Sequence, residues 1–178
     1  MRRLGAVLIV VAVASGLAGS GGKDSAAAGG DPAQPCDLLT VREVEKALGQ
    51  PVLDGQPEAR ELPGTAGHLD VCTWRTEDPN TGIVEGIPLS IVMTVQSGCA
   101  SPDPAACFES DEQSKRDESK PLRAPGDDAF YVFTGEVEVL VDDLIVNVHF
   151  NSFDTDMYSR NAFERRTVKL AKKAVGRL

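Results

Sequence analysis

Between Asp128 and Phe150 the chain reads "DAFYVFTGEVEVLVDDLIVNVHF". Three runs rich in β-branched and aromatic residues, "DAFYVFT", "EVEVLVD" and "LIVNVHF", follow one another with turns around Thr134-Gly135 and Asp142-Asp143. Connections this short join antiparallel neighbours, because a parallel pair needs a crossover of about a dozen residues or more. The stretch predicts an antiparallel meander, and the rest of the chain has to pack around it.

Upstream, "LDVCTWRT" (69–76) alternates as a strand with Cys72 and Trp74 on one face. "PLSIVMTVQ" (88–96) is a second strand, with Leu89, Ile91, Met93 and Val95 inward. A helix opens the folded region in "CDLLTVREVEKALGQP". There Thr40 and Glu43 form a T-x-x-E capping box, Val41, Val44, Ala47 and Leu48 make an apolar stripe, and Gly49 and Pro51 stop the helix. A short polar helix is expected around Ala105–Lys115, and a long amphipathic one from about Met157 to Arg177. The order α-β-β-α-β-β-β-α predicts a single α+β domain, residues 35–178, whose antiparallel sheet of about five strands is covered by helices.

Residues 1–34 read as an address. Arg2 and Arg3 precede an apolar run from Leu4 to Ala14, about half the roughly 20 residues that a membrane-spanning helix needs, which is the pattern of an export signal (1–20). The following "GSGGKDSAAAGGDPAQP" has too little apolar surface to offset its ordering entropy, so residues 21–34 read as a flexible linker. Leu17, Ala18 and Gly19 fit a lipobox, the motif that precedes the acylated cysteine of a bacterial lipoprotein. The fourth position is Ser20, and a serine hydroxyl is too weak a nucleophile for thioether lipidation. Two readings stay open: a cysteine lost from residue 20, or an ordinary signal-peptidase cut after Ala14 or Ser20. Either way the domain is expected in the cell envelope or outside the cell, on the outer face of the cytoplasmic membrane if lipid-anchored. Membrane association is expected only with cysteine at residue 20 or with the signal left uncleaved.

The chain has four cysteines, Cys36, Cys72, Cys99 and Cys107. An even number in an exported chain points to disulfides, in one of three pairings. Cys99 and Cys107 bound "CASPDPAAC", whose prolines and Ser101 suit a loop closed by its own bridge, and Cys36 would then pair with Cys72. A zinc site would want C-x-x-C spacing, which is absent, so no metal is expected.

The 178 residues include 27 acidic and 18 basic side chains, a formal charge of −9 that becomes −11 when Arg2 and Arg3 leave with the signal. Such a balance disfavours nucleic acid and anionic bilayer surfaces as partners. One basic set stands apart: Arg165, Arg166, Lys169, Lys172, Lys173 and Arg177. On a helix, residues 165, 169, 172 and 173 share one face, while Phe163, Leu170, Ala171, Ala174, Val175 and Leu178 line another. The basic set reads as the solvated face of that helix, with cations also favoured near its C-terminus.

The segments "PCDLLTVREVEKALGQPV", "CTWRT" and "PGDDAFY", with the closing amphipathic helix, resemble a family of actinobacterial exported lipoproteins of unknown function. The hallmark of that family is Cys-Asp-Leu-Leu-Thr, a short helix ending in Leu-Gly, and a later Cys-x-Trp. The likeness spans nearly the whole folded domain. It implies a cell-envelope address, a Cys36–Cys72 bridge and an α+β fold, and it supplies no catalytic residues. Ser20, where such lipoproteins carry the lipidated cysteine, is the departure.

No motif assembles a reaction or a cofactor site. "GSGGKDS" lacks the spacing of a phosphate loop, and Asp24 stands where Ser or Thr should follow Lys23. His68 and His149 belong to no ligand-spaced cluster; His149 shares a strand face with Asn147 and Ile145 and reads as a hydrogen-bonded sheet histidine. No G-x-S-x-G elbow occurs. Asp127-Asp128 and Asp142-Asp143 sit at strand ends, where aspartate forms turns. "DTDMYSRNAFE", from Asp154, lacks the glycine and the bidentate glutamate of a calcium loop. Trp74, beside Cys72, reads as packing around a disulfide.

The expectation is therefore a non-enzymatic envelope protein without catalytic, cofactor-binding or metal residues, an interaction or accessory module that docks a membrane or wall partner. The alternative is a carrier that holds a small apolar ligand between sheet and helices. With six Phe, two Tyr and one Trp to serve both a core and a ligand cavity, composition favours the module. A large apolar pocket would favour the carrier, and a packed interior the module.

Overall fold

The turn expected at Asp142-Asp143 forms with Asp142 at φ 50°, the one positive φ outside glycine among the described residues. Aspartate tolerates this left-handed conformation better than most side chains. The computed structural model describes residues 34–62, 67–82, 86–99, 101, 103–123, 125–151 and 160–178, all within one unit, Asp31–Leu178. The expected signal, the lipobox-like Leu17, Ala18, Gly19 and Ser20, and the linker up to residue 33 lie outside the described residues.

Two helices come first, α1 (Pro35–Leu38) and α2 (Val41–Leu48), then strands β1 (Gln56–Glu61), β2 (His68–Arg75) and β3 (Ser90–Ser97). Helix α3 (Pro104–Ser114) and a short 3₁₀ turn follow. The chain then runs through β4 (Ser119–Pro121), β5 (Asp128–Val132), β6 (Glu136–Val141) and β7 (Leu144–Asn151) to α4 (Arg160–Val175). The fold is α+β, built on one antiparallel sheet in the order β1-β2-β3-β7-β6-β5-β4. Two meanders, β1-β2-β3 and β4-β5-β6-β7, thus meet where β3 pairs with β7.

Alternation along the strands decides which side chains meet. One row across the sheet runs Cys72, Met93, Val148, Val137, Tyr131, and the next begins Trp74, Ile91, Phe150. All are buried, and together with Val44, Leu48, Phe163, Leu170 and Ala174 of the helices they form one continuous core. Helices α1, α2 and α4 cover this face. On the other face α3 lays Phe108 against Phe130, with ring centroids 5.2 Å apart, beside Val132 and Ile145.

The sheet has seven strands where about five were expected. The two extra ones are its edges. β1, "QPEARE", is exposed along its whole length, and β4 is the tripeptide "SKP". Neither carries an apolar alternation, because an edge strand is kept short, charged and proline-bearing to discourage pairing with another chain.

The capping box forms as expected: Thr40 Oγ1 accepts from the Glu43 amide (3.3 Å), and Glu43 Oε2 accepts from the Thr40 amide (3.0 Å). Gly49 ends α2 at φ 76°, its amide donating to the Glu45 carbonyl. The preceding "PCDL" makes a separate turn of helix, which the capping box did not announce. α3 covers the expected span, with Asp103 as its N-cap accepting from the Ala105 amide at 3.0 Å. Residues 157–159 of the expected final helix lie outside the described ones. Its apolar face is buried at Phe163, Leu170, Ala171 and Ala174, but Leu178 is 42 % exposed, a correction to the expected packing. The helix ends at Val175, so Leu178 falls past the last turn and no longer points at the sheet.

Candidate functional site

Both expected disulfides are present. Cys36–Cys72 (Cα–Cα 5.2 Å) fastens α1 to β2, and Cys99–Cys107 (6.6 Å) ties the β3 exit to α3. Trp74 is buried beside the first bridge, and the chain at Gly55 runs so close that a β-carbon there would lie 2.7 Å from Trp74 Nε1.

Asp127, Asp128 and His68 have structural partners. Asp127 Oδ2 accepts from the Asp142 amide and Asp128 Oδ1 from the Ala129 amide, both at 2.8 Å, so these carboxylates hold turns and strand starts. His68 Nε2 lies 2.9 Å from Oδ1 of the buried Asp70. His149 is half-buried on the α3 face of the sheet, and burial lowers its pKa. Asp154 lies outside the described residues.

Two places concentrate charge. The first lies where α4 crosses α2. Glu43 receives Lys173 Nζ at 2.6 Å and the two terminal guanidinium nitrogens of Arg177 at 2.7 and 2.8 Å. The Arg177 contact, with Lys173 and the Thr40 cap adding to it, holds this carboxyl far below the usual range. Arg177 also donates to the Leu38 carbonyl (2.6 Å) and Arg166 to the Ala47 carbonyl (2.9 Å). These carbonyls belong to the last turns of α1 and α2, whose acceptors the helices leave unpaired. Part of the basic set expected to face solvent therefore clasps α4 to the N-terminal helices. Beside the clasp a groove of about 480 Å³ opens, with Arg42 and Lys46 on the α2 side and Arg166, Lys169 and Lys173 on the α4 side. Ala47 and Leu170 also line it, and Glu43 is its one acid.

The second place lies under α3 on the opposite face. Lys115 Nζ donates to Glu136 Oε1 (2.8 Å) and Glu138 Oε2 (3.2 Å), and Asn147 donates to Glu136 (2.6 Å). Glu138 is 3 % exposed, and its Oε1 has no partner. Burial raises its pKa to about 7, outweighing the attraction of Lys115, and Asp111 and Glu136 add to the rise. Burial alone would lower Lys115, but Glu136 and Glu138 reverse that and raise it.

The alternation in "EVEVLVD" does put Glu136 and Glu138 on one face, which in isolation reads as solvated. That α3 would cover it was not legible, because Phe108 is the one buried side chain of that helix. A third feature, a groove of about 500 Å³ between α3 and the β4–β5 edge, carries Glu109, Glu112 and Asp128 against Arg116.

The raised carboxyl has a measurable signature. A group whose pKa rises on folding stabilises the fold fully below its unfolded pKa and loses that contribution as pH climbs through the folded one. At 1.36 kcal/mol per unit, the climb from 4.5 to about 7 corresponds to a loss of roughly 3 kcal/mol. Glu138→Gln is expected to remove that loss, so its stability relative to the parent should rise between pH 5 and pH 8. Urea melts at both pH values check this, and an unchanged difference would contradict it.

No protein-family model, curated protein or solved structure matches this chain. Among the described residues no helix is long and apolar enough to cross a membrane, and no cluster of three or more His, Cys, Asp or Glu is placed to hold a metal ion.

Proposed function

We propose that the chain is an exported, non-enzymatic accessory module of the cell envelope that docks a membrane or wall partner through the surface where α2 meets α4. The observation that carries this reading is the buried apolar cluster among the described residues. Trp74, Tyr131, Ile91, Met93 and Val137 are all buried in one continuous cluster between the sheet and α1, α2 and α4, the space a carrier would need for its ligand. Recognition is then left to the surface, where the α2–α4 groove gathers charge opposite in sign to that of the chain. Two disulfides and the resemblance to exported lipoproteins support the envelope address.

Two measurements test the reading. Restoring the lipobox with Ser20→Cys should shift the protein from the aqueous to the detergent phase of an extraction and label it with palmitate; an aqueous, unlabelled product would leave an ordinary secreted domain. A photo-crosslinker placed at Arg42 or Lys169 should give a discrete adduct in envelope fractions, and one at Gln113 on α3 should not. Equal labelling from both sites, or none, would overturn the docking surface. An apolar ligand extracted from native material would restore the carrier.

A further inference from the structure

The α2–α4 groove gathers five of the chain's 18 basic residues and one of its 27 acidic ones. In a chain with acids to spare, such a gathering is unfavourable unless something compensates it. Arg42 and Lys46 are four residues apart on α2, and Lys169 and Lys173 four apart on α4, the spacing at which like charges destabilise a helix. Folding adds to this by setting the two helices side by side. Glu43 answers Lys173 and Arg177. Arg42, Lys46 and Lys169 are exposed and have no ion pair among the described residues.

We propose that this groove is a binding site for a phosphate group, carried either by a soluble phosphate compound or by a lipid headgroup. This deepens the docking reading by naming the chemistry of the surface. Phosphate concentrates charge and acceptor oxygens in a small volume, which lysine answers as a point charge and arginine as a planar fork. A volume of about 480 Å³ is that of a small-molecule pocket. The tie of Arg166 to the Ala47 carbonyl and of Lys173 to Glu43 sets two of the cations in place before any ligand arrives.

The test uses the full chain and two probes: inorganic phosphate, followed by amide chemical shifts at constant ionic strength, and vesicles of phosphatidylglycerol in phosphatidylcholine, followed by sedimentation. A Lys46→Glu/Lys169→Glu variant should bind about tenfold or more weakly, since reversing a charge adds repulsion to the lost attraction. Lys172→Glu, on exposed α4 surface outside the groove, should bind as the parent does, and unchanged melting temperatures would exclude loss of fold. Groove-dependent binding of inorganic phosphate assigns a soluble ligand, and of vesicles alone a headgroup. The proposal is overturned if neither probe binds, if Lys172→Glu loses as much as the double variant, or if an oligoglutamate peptide binds where both phosphate probes fail. Failure here with crosslinks from Arg42 and Lys169 intact removes the chemistry and leaves the docking reading. Phosphate binding without any crosslink does the reverse.

Discussion

A chain carrying Cys36→Ala and Cys72→Ala is expected to be less stable by about 4 kcal/mol, the loop-entropy value for a bridge across 36 residues. For a domain of this size that lowers the melting temperature by about 8–16 °C. The bridge joins a single turn of helix to a central strand, and Cys72 is fully buried against Trp74 and the chain at Gly55. Its removal therefore frees the N-terminal helices as well as lengthening the unfolded chain's reach. The Cys99–Cys107 bridge closes a far shorter loop, a separation of 8, so the Cys99→Ala/Cys107→Ala variant should lose only about 2–3 kcal/mol. Urea melts of the two variants beside the parent decide the matter; equal losses would show that the long bridge is not the chief staple.

Leu170→Ala should cost about 2–5 kcal/mol, as buried leucines do when the site cannot collapse around the lost methyls. Leu170 is 2 % exposed in the core shared by α4 and the sheet. Leu178→Ala, on the same expected face but beyond the end of the helix, should change stability by less than about 0.5 kcal/mol. A loss at Leu178 comparable to that at Leu170 would mean that the helix continues and packs to its last residue.

The contrast between those two leucines shows what could be read from the residues and what could not. Periodicity identifies the face of a helix, but not the residue at which the helix stops. In the same way the alternation from Asp128 to Phe150 was legible because each strand has one face in the core. β1 and β4 were not, since an edge strand has no such obligation. The capping box at Thr40 and Glu43 is a local device and could be read locally. The second role of Glu43, as acceptor for Lys173 and Arg177, could not: those partners lie 130 and 134 residues away. The basic residues of α4 were visible as a set. That Arg42 and Lys46 face them across a groove depends on how two helices pack, which neither helix's own pattern records. Glu138 was hidden for the same reason, its burial being supplied by α3.

The meeting of the two meanders at β3 and β7 sets an order of events for a chain that emerges N-terminus first. β1, β2 and β3 can pair as soon as they are out, and Cys36 can already find Cys72. The inner edge of β3 then stays open until Leu144–Asn151 arrives, with Ile91 waiting for Phe150 and Met93 for Val148. Only with β7, near the end of the chain, do the two half-sheets become one and give α4 a surface to land on. Pairing of such long range is slow to form, so the sheet closes at its centre only once almost the whole chain is available.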